Sequence, residues 1–349
     1  MGGLVRRNQV DNMHLCRKWT MLCGVLALGP TLVPATTLYM SPSGSDSNTG
    51  SSTTDALKTL KGVLAKVTAT KPTDAVNIVV AEGAFASQSV IWTYFNGQPI
   101  TFAPPTGAAT KPIFDGKGAG LTWFTMGDST DAAVPTNLHF IGLTVTNYWL
   151  GLDLGRDKAP GNSYNEVRSM LFERIGAFYT HGFPNPKGYA ALRLRQSSNN
   201  TIVGNRFHGV KNSNAADSDG DGQNEDLTAY IHAIYVAHNA RGNIIADNEF
   251  NQVTGDAVRT RDGSDNNLIE GNRFITAGKY SAYSDWIDDI GDECPSHGNR
   301  FEDNTVGDGY FGPFKAGFVT HTYGPDDRCS DGDAGALPPR IIETGTVMQ

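Results

Sequence analysis

Arg193, Arg195, Tyr235, Arg259 and Arg261 lie in three short segments: Ala191-Leu-Arg-Leu-Arg195, Ala233-Ile-Tyr-Val-Ala237 and Ala257-Val-Arg-Thr-Arg261. Each alternates as a β-strand does, and successive side chains of a strand face opposite ways. With Leu192, Leu194, Ile234, Val236, Val258 and Thr260 turned inward, Arg193, Tyr235 and Arg259 fall into one outward column. Arg195, Ala237 and Arg261 fall into the next. Gly151-Leu-Asp-Leu-Gly155 adds Asp153 to the first column, and Gly317-Phe-Val-Thr-His321 adds His321 to the second. His232 and His238 flank Tyr235.

A guanidinium fork pairs bidentately with a carboxylate, so this face is expected to bind an acidic sugar chain. The competing reading is that the arginines pair with acidic loop residues such as Asp262 or Asp265, as surface charges commonly do. Four arginines in two adjacent columns favour substrate. Cleaving a uronate chain by β-elimination needs the C5 carboxylate neutralised, the C5 proton removed and the leaving oxygen protonated. Arg259 and Arg193 suit the first task. His232 or His238 suits the second, as does Tyr235 if nearby arginines lower its pKa. Tyr235 also suits the third. The expected catalytic set is therefore Tyr235, His232, Arg259 and Arg261. Arg193, Arg195, His238, His321 and Asp153 are expected to bind substrate.

Asp217-Ser-Asp219-Gly-Asp221-Gly222 has the alternating carboxylates of a calcium loop, with Glu225 and Asp226 close behind. It is not an EF-hand, because Thr228 stands where the closing Glu would be. The segment reads either as a calcium site on Asp217, Asp219 and Asp221 or as a solvated acidic loop.

These strands belong to an internal repeat. Asn200-Thr-Ile-Val-Gly-Asn205-Arg-Phe207, Asn243-Ile-Ile-Ala-Asp-Asn248-Glu-Phe250, Asn267-Leu-Ile-Glu-Gly-Asn272-Arg-Phe274 and Asn299-Arg-Phe-Glu-Asp-Asn304-Thr-Val306 superimpose without gaps. A weaker copy is Asn165-Glu-Val-Arg-Ser-Met170-Leu-Phe172. Successive copies lie 35, 43, 24 and 32 residues apart. Fixed units with variable loops between them are the pattern of a solenoid of stacked β-coils. Phe172, Phe207, Phe250, Phe274 and Val306 are expected to stack inside it. Asn205, Asn248, Asn272 and Asn304 are expected to form an internal ladder. Upstream, a strand and polar loop from Tyr39 to Gly50 precede apolar positions Leu57, Leu60, Val63, Leu64 and Val67, at helical spacing.

With its Asn-x-x-x-x-Asn-x-Phe coils and that N-terminal strand, loop and helix, the chain resembles the pectate-lyase-like superfamily over nearly all of residues 38–325. The resemblance implies an all-β, right-handed parallel β-helix with an N-terminal cap (about residues 38–70) whose helix covers the end of the solenoid. It also implies a carbohydrate-active role, with chemistry left open among lyases, hydrolases, epimerases and adhesins. Arginine bases known in some β-helix lyases keep Arg259 and Arg261 among the base candidates. Calcium bridging of substrate carboxylates, as in some pectate lyases, is a second use for the 217–226 loop. β-Helix hydrolases group aspartates, so Asp285, Asp288, Asp289, Asp292 and Glu293 support a hydrolase alternative. Ser296-His297-Gly298 is only faintly similar to the hydrolases' Gly-His-Gly motif, and their Asn-Thr-Asp and Arg-Ile-Lys motifs are absent. The Asp-Pro-His motif of alginate-type epimerases is absent too. A non-catalytic carbohydrate-binding or adhesive solenoid is a further alternative, expected to show few titratable groups outside.

The chain has 349 residues, 40 of them Gly, and only 18% charged residues, which suits short strands and many turns. Residues 1–35 read as an export signal. Arg6, Arg7, Arg17 and Lys18 make the basic region, Met21 to Val33 the apolar one, and Val33-Pro34-Ala35 the cleavage site. The mature chain, expected from residue 36 as one domain, is thus expected outside the cytoplasm, without a stable membrane anchor. Losing four basic residues and one acidic residue moves the net charge from −8 to −11. That surface opposes nucleic-acid binding. Cys16 and Cys23 leave with the signal, and Cys294 and Cys329 are expected to pair.

Overall fold

The computed structural model describes residues 35–127, 134–155, 162–181, 186–217, 221–288, 293–323 and 338–349. The expected export signal lies outside the described residues except for Ala35. The strands form three sheets of ten, eight and nine strands, and strand neighbours are parallel throughout. Apart from the first two strands, which pair directly, neighbours in a sheet are three strands apart along the chain. Each coil therefore gives one strand to the ten-stranded sheet, one to the nine-stranded sheet and one to the eight-stranded sheet. This is the parallel β-helix expected from the repeat.

One residue makes the corner between the first two strands of each coil. Ser169, Gly204, Asp247, Gly271 and Asp303 occupy it with φ of 54°, 63°, 54°, 63° and 51°. The left-handed region penalises bulky and β-branched side chains, which explains why Gly or Asp precedes Asn in four of the five copies.

The next residue turns its side chain inward. Asn205, Asn248, Asn272 and Asn304 are buried, and their Oδ1 atoms accept from the backbone N–H of the preceding coil at 2.9 Å throughout. Their amide nitrogens donate to the carbonyls of Val167, Ile202, Ile245 and Ile269. The opening Asn of each repeat builds a second ladder that the repeat alone did not reveal: Asn165, Asn200, Asn243, Asn267 and Asn299 bond in succession in the same way. Strands about 4.8 Å apart set that pitch, and interior amides must be satisfied. Asn248→Ala should strand the Asn205 N–H and the Ile202 carbonyl. A loss of about 3 kcal/mol is expected, read from the denaturant midpoint at unchanged slope.

The expected aromatic stack is present. Phe172, Phe207, Phe250 and Phe274 are in register, with centroids 5.1, 5.1 and 4.8 Å apart, and Val306 continues the row. The helix spans Leu60–Thr70, later than the Leu57 start suggested by apolar spacing. Leu57 instead donates its N–H to Tyr39 and bridges Met40. Thr59 is the N-cap, its hydroxyl accepting from the Gly62 N–H, and Asp46 accepts from the N–H groups of Lys58 and Thr59. Leu60, Val63 and Val67 bury against the apolar interior of the first coils. Among the described residues no helix is long and apolar enough to cross a membrane.

Candidate functional site

The eight-stranded sheet carries the candidate residues on strands Leu150–Leu154, Ala190–Arg195, His232–Ala237, Val258–Arg261, Tyr283–Asp288 and Phe318–Tyr323. Parallel register places Asp153, Arg193, Tyr235, Arg259, Ser284 and Val319 in one row. Arg195 pairs with Ala237, and Arg261, Trp286 and His321 are in register. Leu154, Leu194, Val236, Thr260 and Asp285 form the buried row between. The two columns deduced from alternation are thus brought together by the fold.

The charges on them are not open. Arg193 grips Asp153 with Nε at 3.0 Å and Nη2 at 2.6 Å, and Arg195 shares that carboxylate at 3.5 Å. Arg261 Nε lies 2.6 Å from both oxygens of Glu293. Arg259 is only 6% exposed, donates to Asp256 at 2.8 Å and to Ser284 at 3.1 Å, and lies 4.1 Å from the Trp286 ring. Asp262 and Asp265, the acids suspected as partners, take His238 and Arg241 instead. Four guanidiniums face three carboxylates, so the strong positive excess inferred for this face is reduced to a small one. Arg259 in particular is a covered, pinned residue rather than an open carboxylate receptor or base, because its own carboxylate and an indole enclose it.

Asp256 holds this arrangement together. Its Oδ1 accepts from the N–H groups of Lys279, Tyr280 and Ser281 at 3.2, 2.8 and 3.1 Å, its Oδ2 takes Arg259, and its carbonyl accepts from His232 Nδ1 at 2.8 Å. Burial opposes its ionisation, but Arg259 and the backbone donors outweigh that, so its pKa lies below the ordinary carboxylate value. His232 is 2% exposed and stacks on Tyr235 at 5.4 Å. Burial, aided by Arg259, pushes its pKa well down, so the ring is neutral. Its position beneath the surface corrects the expectation that it meets substrate directly.

Tyr235 also departs from expectation. Burial raises its pKa, and the lowering by Arg261 and Arg259 does not overcome that. It stays a protonated phenol and is not the base. His238 reaches outward at the end of the same strand, half-buried, with Nδ1 2.8 Å from Asp262 Oδ2. His321 lies against the Trp286 ring at 4.2 Å with the planes tilted by 35°, and burial lowers its pKa.

Depressed His232 ionisation has a consequence for stability. The unfolded imidazole protonates near pH 6.5 while the folded one resists, so the contribution is complete above that value and lost as pH falls. Below about pH 6.5 the wild type should lose stability more steeply than His232→Gln, by up to about 1.4 kcal/mol per pH unit. Denaturant titrations of both proteins at several pH values measure the difference.

Asp285 belongs to the carboxylate group of the hydrolase alternative. It is fully buried in the interior row, where Thr260 donates at 2.6 Å and Arg340 Nε at 2.7 Å, and burial raises its pKa. Glu293 is engaged by Arg261. Asp289 and Asp292, and the side chain of Asp288, lie outside the described residues. Trp286, Tyr280 and Asp256 were missed in the sequence. Trp286 was discoverable, since Tyr283-Ser-Asp-Trp286 alternates as the aligned strands do, whereas Asp256 carries no periodic signal.

In the acidic loop, oxygens of Asp217, Asp221 and Glu225 lie within 4.8 Å of one another. Asp219 lies outside the described residues, and Asp226 is bound instead to Lys279 at 2.6 Å and to Thr228. The Gly222 and Gln223 N–H groups each hold one oxygen of Asp217 and Asp221. Three converging carboxylates are donors that suit a hard cation such as calcium. Cys294 is disulfide-bonded. Cys329, its expected partner, lies outside the described residues.

No family model and no curated protein sequence matches the chain. Among solved structures it is similar to an alginate lyase from Paenibacillus sp. str. FPU-7 at 16% identity, covering 83% of this chain and 97% of that one, with a TM-score of 0.48. It is similar to a pectate lyase, Pel9A, at 14% identity, covering 89% and 78%, with a TM-score of 0.42. It is also similar to a GH136 lacto-N-biosidase from Eubacterium ramulus at 11% identity, covering 90% and 67%, with a TM-score of 0.44. These likenesses bring no chemistry to this chain. Its three all-parallel sheets, with their interior Asn and Phe rows, are those of a parallel β-helix.

Proposed function

We propose that this chain is a secreted polysaccharide lyase that opens a uronate-containing chain by β-elimination on the outer face of the eight-stranded sheet. The observation that carries the reading is the row Asp153–Arg193–Tyr235–Arg259, in which a protonated phenol sits between two fixed guanidiniums. His238, oriented by Asp262, takes the C5 proton, a better placement for a base than buried His232. The electron pair forms the C4–C5 double bond, the C4–O bond breaks, and Tyr235 gives its proton to the leaving oxygen. Arg193, locked by Asp153, faces the substrate carboxylate. A hydrolase needs a carboxylic acid held protonated at the surface. Asp153, Asp256 and Glu293 are all arginine-paired, and Asp285 is interior.

A second reading, a binding module without catalysis, is favoured by the pairing of all four arginines. One assay separates the readings: incubation with a panel of uronate polymers, following the unsaturated-uronate absorbance band. Rising absorbance supports the lyase. Reducing ends without absorbance would overturn it in favour of hydrolysis, and binding without cleavage in favour of a module. Calcium is proposed at Asp217, Asp221 and Glu225. Added chelator should lower the melting temperature of the calcium-loaded protein by a shift that saturating calcium reverses, worth about 2.7 kcal/mol at a hundredfold excess over Kd. An unchanged melting temperature would rule calcium out.

A further inference from the structure

Beside the arginine row, a cleft of about 490 Å³ is lined by Lys279, Tyr280, Phe311, Phe314, Lys315 and His321, among others. Its walls are the turn at 278–282, the loop at 309–317 and the start of the last strand of the sheet. The loop is held in place: Tyr310 donates its N–H to the Gly278 carbonyl at 2.9 Å, and Gly309 and Gly312 bridge each other. Gly278 has φ of 117°, and a Cβ there would lie 2.6 Å from Phe314, so the cleft is built rather than open by chance.

Two large aromatic side chains are left to solvent at this place, Tyr280 at 44% and Phe311 at 55%. Lys279 lies between them, its ammonium 5.8 Å from the Tyr280 ring and 5.9 Å from the Phe311 ring. That ammonium is already neutralised by Asp226 at 2.6 Å and bonded to Thr228 at 2.9 Å. The floor of the cleft thus offers aromatic faces and polar atoms, with the Lys279 charge paired and Lys315 also in its lining. The cleft is continuous with the arginine row: Tyr280 lies 5.7 Å from Trp286 and 5.2 Å from His321, and Arg259 lies under Trp286 at 4.1 Å. Sugar rings present an apolar C–H face edged by hydroxyls, which matches exposed rings rimmed by Lys315 and His321.

We infer that this cleft is a separate sugar subsite, holding one ring of the polymer by stacking on Tyr280 and Phe311 rather than through an anionic substituent. The inference deepens the polysaccharide reading above and rests on it for the class of ligand. Charge complementarity would be screened by salt, and stacking is not. The test is titration of the full-length protein with soluble alginate, polygalacturonate and neutral xylan at low and high salt, read by tryptophan fluorescence. At least one polymer is expected to bind with an affinity that high salt leaves nearly intact. Tyr280→Ala and Phe311→Ala should each weaken it roughly tenfold, while Tyr280→Phe keeps it.

Failure of all three polymers to bind, loss of binding at high salt, or variants that bind as well as wild type would each overturn the subsite. Product formation is a separate measurement. Binding without unsaturated product leaves the subsite standing and removes the lyase. Product formed equally well by the variants, with unchanged binding, removes the subsite alone.

Discussion

Tyr235→Phe is expected to lower the rate of unsaturated-product formation by at least about 100-fold, the lower bound for losing a positioned general acid. The substitution removes one oxygen and keeps the ring that stacks on His232. Thermal stability should therefore change little. Burial holds the phenol protonated at neutral pH, which is the state an acid must have. Rate and melting temperature measured on the same preparations decide the matter. Unchanged turnover would remove Tyr235 from the chemistry, and a fall in both quantities together would assign it to structure instead.

Asp256→Ala should cost about 3–5 kcal/mol of stability, because it leaves Arg259 buried without its counter-charge and three N–H groups without an acceptor. A double variant, Asp256→Ala with Arg259→Met, should regain part of that loss, since an uncompensated buried charge is the larger part of it. Denaturant midpoints of the three proteins give the comparison. If the single variant loses no more than an ordinary surface substitution, the Asp256 cluster does not organise the site. The same carboxylate pins the turn carrying Tyr280. Asp256→Ala should therefore also weaken polymer binding at the aromatic cleft.

What could be read in the amino-acid sequence was what repeats. The Asn and Phe positions recur because every coil meets its neighbours in the same way, so their spacing alone set the strands, the corners and the interior rows. Alternation within a strand then fixed which residues share an outward column, and the register agrees for Asp153, Arg193, Tyr235 and Arg259. The first-Asn ladder was equally present in the repeat, but its hydrogen bonds show only once coils are stacked.

Charge pairing was another matter. Arg261 meets Glu293 from 32 residues away, and Arg340 meets Asp285 from 55. Loops of unequal length set those meetings, and no period encodes them. The contacts of Arg259 with Trp286 and of His232 with Tyr235 form between side chains of the sheet's own strands. The sequence determined by itself the solenoid and the two outward columns, because both follow from local alternation and stacking. Only the tertiary structure decided which of those side chains remain open to a polymer, because that depends on partners and covering groups from other coils.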